Sequence, residues 1–162
     1  MTNIRQTTVT FITAFFIGFI ADCNAGNSSA SLPSNSAKPI EITVYKSPTC
    51  GCCKGWVDHL RTEGFHVITH DKQDMDPIKR SAGIPDHLQS CHTALVEGYA
   101  IEGHVPAADI KKLLNQHPKI TGLTAPGMPM KSPGMQAPTS PPKDYDVLAF
   151  TKDGKSTVFT KY

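Results

Sequence analysis

Charge of one sign is what this chain lacks. Its 162 residues hold 16 Lys and Arg against 14 Asp and Glu, a net charge of +2. So small an excess does not make the basic surface that nucleic acid or an anionic membrane attracts. Long hydrophobic runs are missing as well. The apolar stretch from about Val9 to Ala21 is too short to cross a bilayer comfortably. Arg5 is the only charge before it, and small and polar residues follow it, so residues 1–25 are expected to be a secretory signal cleaved after Ala25. Lipid attachment at Cys23 is the lesser alternative, because Asp22 fits poorly where such sites prefer a small residue. No stable membrane insertion is expected once the signal is removed.

Cysteine is scarce, with five in the whole chain, yet it is concentrated. Cys50, Cys52 and Cys53 fall within four positions, and Cys91 lies far downstream. Export implies an oxidising compartment in which an even set would pair. Adjacent Cys52 and Cys53 bridge each other only with strain, so a pair of structural disulfides is an uneasy fit. Residues 26–39, rich in Ser, Asn and Ala, are expected to form a disordered leader. Residues 40–162 are enough for one domain.

Within that domain, Ile40 to Lys46 alternates apolar and polar residues and predicts a strand. Cys53 to Glu63 places Trp56, Val57 and Leu60 on one helical face, with Gly64 as the stop. Phe65 to His70 predicts a second strand and Asp74 to Ala82 a short helix, with Pro77 tolerated in its first turn. Thr93 to Glu97 and Tyr99 to Glu102 flank Gly98 as a hairpin. A helix beginning near Pro106 buries Ile110, Leu113 and Leu114. Ala125 to Pro142 is a loop dense in Pro and Gly, and Asp146 to Thr151 with Ser156 to Lys161 closes the chain as a hairpin. The order β-α-β-α-β-β-α predicts an α/β, thioredoxin-like fold: a central mixed sheet flanked by helices, with the Pro/Gly/Met-rich loop and the final hairpin appended. The charge pairs on the helices read as solvated faces.

The cysteine cluster satisfies both C-x-x-C and C-x-C-C. At a helix N-terminus the free N–H groups and the helix dipole favour thiolate, which suits nucleophilic attack and metal ligation alike. Three features favour metal. The side chains of Cys52 and Cys53 diverge, which suits bridging of several ions better than one tetrahedral zinc. Cys91 begins the third strand, which in a thioredoxin plan faces the C-x-x-C loop. Thioredoxin-type enzymes usually carry a cis-proline there, whereas this chain has Ser90-Cys91-His92-Thr93. Met128, Met130 and Met135 add thioethers, soft neutral donors suited to Cu(I) outside the cytoplasm. Packing of these methionines over the sheet is the bland alternative. His92 and His104 are either ligands, proton carriers or hydrogen-bonded structural histidines. Trp56 reads as core behind the loop, while Gly51 allows backbone curvature and Gly55 close packing.

From Ile40 to Tyr162 the chain resembles the CopG-type copper-resistance family. CGCCKGW (Cys50 to Trp56), SCHTALVEGYAIEGHVP (Ser90 to Pro106), GLTAPGMPMKSPGM (Gly122 to Met135) and YDVLAF (Tyr145 to Phe150) carry the resemblance. It implies an exported, thioredoxin-like protein whose Cys50, Cys52, Cys53 and Cys91 bind a multinuclear copper–thiolate cluster. The expected function is periplasmic copper homeostasis. Cu(I) would be held, interconverted with Cu(II), or passed to a copper-efflux component, with a redox partner as a further candidate. Met128, Met130 and His92 are secondary ligand candidates. The rival expectation is a thiol–disulfide oxidoreductase, with Cys50 attacking and Cys53 resolving. Structural zinc is a third, and it predicts unfolding on chelation.

Overall fold

The computed structural model describes residues 38–162; the expected signal and most of the expected leader lie outside them. Eleven elements follow in order: β1 (Glu41–Lys46), α1 (Gly51–Thr62), β2 (His66–Asp71), α2 (Asp76–Ser81), a 3-10 turn (Asp86–Leu88), β3 (His92–Val96), β4 (Tyr99–Gly103), α3 (Ala107–Gln116), β5 (Gly122–Ala125), β6 (Asp146–Phe150) and β7 (Ser156–Lys161). The seven strands form one mixed sheet in the order β2-β1-β3-β4-β5-β6-β7. β1 and β2 run parallel, with α1 as the crossover, and β3 is antiparallel to both its neighbours.

Period-two alternation gives the sheet two buried faces. Ile42, Val44, Ala94, Val96, Ile101, Val147 and Ala149 turn one way and pack with Trp56, Val57 and Leu60 of α1 and with Ile110, Leu113 and Leu114 of α3. Ala100, Leu148 and Phe150 turn the other way, against Ile84 and Leu88 beside the 3-10 turn. The tight turn between β3 and β4 has Glu97 and Gly98 both at positive φ, the pattern of a type I′ hairpin.

Besides the added 3-10 turn and end shifts of one or two residues, two differences from expectation bear on the sheet and the site. β5 falls where no strand was predicted, and it inserts parallel to β4 and antiparallel to β6. The final hairpin is thereby part of the main sheet. Helix α1 starts at Gly51 rather than Cys53, which makes Cys50 its N-cap and puts Cys52 and Cys53 in its first turn.

Candidate metal centre

The site sits where β1 hands over to α1. Ser47-Pro48-Thr49 ends the strand, and Cys50 takes an extended conformation that opens the helix. Its Sγ accepts the Cys53 backbone N–H at 3.3 Å, a capping bond in which sulfur replaces the usual oxygen. No acidic residue occupies the first turn, so nothing opposes the positive end of the helix there. Gly51 has open space around it and an ordinary φ, so the curvature expected of it is not needed.

Cys91 reaches the same place from the start of β3. One sulfur from each of Cys50, Cys52, Cys53 and Cys91 lies within 4.8 Å of all the others. Cys52 Sγ is 3.5 Å from Cys50 Sγ. The structure therefore brings together all four cysteines singled out from the sequence. Their redox state is divided. Cys50 and Cys53 are joined as a disulfide, while Cys52 and Cys91 are free thiols. The expectation that crowding disfavours disulfides applies to Cys52 with Cys53. It does not apply to Cys50 with Cys53, because N-cap and third helical positions point to the same side.

Two histidines flank Cys91, so Cys91, His92 and His104 form a second cluster of potential ligands. The His104 Nδ1 lies 2.8 Å from the Pro133 carbonyl oxygen, which only accepts, so Nδ1 carries the proton. Its Nε2 then turns a lone pair on Cys91 Sγ at 3.2 Å. His92 Nδ1 is 3.3 Å from the same sulfur, and its Nε2 is buried without a partner. Burial holds the His92 ring well below its ordinary pKa, with the neighbouring His104 adding to the effect. Burial also lowers His104, against the opposing pull of the Pro133 carbonyl. Both rings are neutral at pH 7, the form that ligates metal. His104 was an open question in the sequence; the signal that marks it is its place at the end of β4, beside the Cys91 strand.

The Pro/Gly/Met-rich loop covers this corner. A Cβ on Gly134 would come within 2.5 Å of the Trp56 nitrogen and 2.7 Å of the Cys52 carbonyl oxygen, and Gly134 has a φ of +85°. Gly55 is small to admit this same loop, since its Cβ would meet Gly134 O at 3.0 Å. Trp56 is fully buried and donates its indole N–H to Val105 O, as a core residue beneath the site. Met128 and Met130 are 58% and 70% exposed, so they do not pack over the sheet. Gly127, next to Met128, bridges to Ser90, next to Cys91. A cavity of about 400 Å³ between α1 and the loop, lined by Asp58, His59, Pro133 and Pro138, contains none of the cysteines.

The chemistry of this donor set is sulfur-rich, with neutral imidazoles at its edge. Such a set suits a soft or borderline cation. Among the described residues no helix is long and apolar enough to cross a membrane.

Residues 88–135 match a family described as protein of unknown function DUF411. Two solved structures, both described as copper resistance protein CopG (form 1 and form 2), are 41% identical to this chain. Each covers 77% of it, with 98% and 99% of their own chains matched and TM-scores of 0.70 and 0.71. No curated protein matches.

Proposed function

Because this chain belongs to the family of the CopG copper resistance proteins, we propose that it binds Cu(I) through Cys50, Cys52, Cys53 and Cys91 as a multinuclear copper–thiolate cluster. The observation that carries this proposal is the convergence of four sulfurs from two distant stretches within 4.8 Å. Thiolates stabilise the monovalent ion, and one sulfur can bridge two low-coordinate ions. His104 Nε2 and His92 supply neutral nitrogen donors at the edge of the same set. Met128 and Met130 are solvent-exposed, Met128 directly following the Gly127 that bridges to Ser90, and are suited to capturing the ion rather than to burying it.

The working compartment proposed is the periplasm, on the strength of the signal pattern in residues 1–25. The strand order β2-β1-β3-β4, with β3 reversed, supports a thioredoxin-like description of the first half of the sheet. Copper is cargo in this proposal. It is held as Cu(I), or interconverted with Cu(II) by exchanging one electron with a redox partner protein, and passed to an efflux component. Reduction of the Cys50–Cys53 disulfide, by two electrons and two protons from a thiol donor, precedes binding by the full set.

That disulfide specifically favours the rival, a thiol–disulfide oxidoreductase with Cys50 as nucleophile and Cys53 as resolving thiol. Anaerobic reduction, loading with Cu(I), metal analysis and thiol titration separate the two. Several copper ions per chain, with the thiols masked, is the outcome expected here. No copper uptake, together with rapid reduction of a model disulfide, would transfer the function to the rival.

A further inference from the structure

Lys79 and Glu102 form a buried ion pair, with side chains 6% and 0% exposed. Lys79 comes from α2 and Glu102 from β4, and no function described so far uses either. Ion pairs at this depth are a poor means of adding stability, since apolar residues of similar volume commonly do as well or better. What distinguishes this pair is the rest of its bonding. Lys79 Nζ also donates to Ser90 O at 2.9 Å and reaches Thr93 Oγ1 at 3.4 Å. Glu102 Oε1 accepts the Ser90 backbone N–H at 2.6 Å, and Oε2 accepts the Thr93 hydroxyl at 2.6 Å. The Ser90 hydroxyl donates to Gly127 O. A Cβ at Gly103 would fall 2.4 Å from Ser90 Oγ, so that glycine closes the remaining side.

The partners held are therefore Ser90 and Thr93, the residues on either side of Cys91-His92. Both polar groups of the Ser90 backbone are tied to the pair. No cis peptide bond occurs among the described residues, so no cis-proline sets the backbone here.

We propose that Lys79 and Glu102 are positioning residues for Cys91: the buried pair clamps the chain at Ser90 and Thr93 and holds the Cys91 sulfur against Cys52 before any metal arrives. A preorganised ligand loses less freedom on binding, so the clamp raises metal affinity without touching metal. The copper part of this inference rests on the proposed Cu(I) function. The geometric part does not.

The test uses the full chain. With the Cys50–Cys53 disulfide intact, dibromobimane bridges Cys52 to Cys91, and peptide mass mapping quantifies that bridge. In Lys79→Met/Glu102→Leu both charges leave together, so neither is stranded, and a cooperative thermal transition checks that the domain remains folded. Bridging then falls about fivefold as the sulfur loses its fixed orientation. After reduction, Cu(I) affinity, read by competition with a chromophoric chelator, falls about tenfold, the usual scale for loss of outer support of a ligand. Lys79→Met/Glu102→Gln keeps an acceptor for the Ser90 N–H and recovers most of the bridging. A folded Lys79→Met/Glu102→Leu variant that bridges at the wild-type rate would overturn the clamp. Should that variant fail to fold, Thr93→Val decides: it trims one side only, with bridging expected to drop about threefold and unchanged bridging counting against the proposal. Wild-type protein that takes up no copper would end the copper function while the bridging result still judged the clamp.

Discussion

Burial, followed by the neighbouring Cys52, pushes the Cys91 thiol up to about 11, so at neutral pH this sulfur keeps its proton until a metal displaces it. Metal binding therefore releases that proton, and Cu(I) affinity of the reduced protein should rise by about tenfold per pH unit for each proton released. Chelator competition across neutral pH reads this slope, and Cys91→Ser should reduce it by about one proton. The same substitution should lower copper stoichiometry and leave the domain folded; unchanged loading would remove Cys91 from the ligand set. Stability follows the opposite sign. A raised thiol pKa means that the folded state keeps a proton which the unfolded chain loses. The contribution is thus complete below about pH 9 and is lost as pH climbs towards about 11. Burial raises Tyr145 and Tyr162 too, and they extend the loss to higher pH. Urea melts of the metal-free protein should weaken above about pH 9, and Cys91→Ser should remove the first part of that decline. The cysteines were legible because three thiols crowded into four positions cannot all serve as small apolar core residues. Lys79 and Glu102 were not: a lysine on a short helix reads as solvated, and only the fold buries it against a residue 23 positions away. Lys54, Asp58 and Arg61 do form the exposed pairs that the helix pattern implies.

Whole elements show where periodicity carries information. β1, β3 and β4 alternate or flank a glycine turn, and their places follow from that. β5 is buried at all four positions, so it has no polar phase to mark it as a strand. Gly122 is required there, since its Cβ would overlap Ala100 O at 1.8 Å. The loop that follows reads as irregular, and irregular it is, but its contact with α1 depends on two glycines, Gly55 on the helix and Gly134 on the loop. Gly134→Ala places a methyl against the α1 backbone at a φ that alanine disfavours. The expected cost is about 2 kcal/mol, measurable by chemical denaturation. Met128→Leu with Met130→Leu should leave the same measurement unchanged, because both side chains are largely exposed. A drop in Cu(I) affinity in that double variant would give the thioethers a ligand role, and unaltered affinity would deny it.

For the molecule as a whole, redox state decides how many sulfurs are open to a metal. The disulfide occupies two of the four sulfurs, so protein with it intact should bind less Cu(I) than protein reduced by a phosphine. Metal analysis of the two preparations checks this. The continuous core on one face of the sheet runs from Ile42 to Ala149 and includes no metal ligand. Chelation should accordingly leave the thermal midpoint within about 2 °C, whereas a structural zinc would unfold the chain when removed. The β-α-β-α-β-β-α order was legible from spacing alone; the joining of the last hairpin to β4 was not, because it depends on β5. One contact has a mechanical corollary. The Pro133 carbonyl tethers His104 from within the segment that displays Met128 and Met130 to solvent. A pull on that exposed segment would strain the tether, and movement outside would be felt as a loosened imidazole beside Cys91.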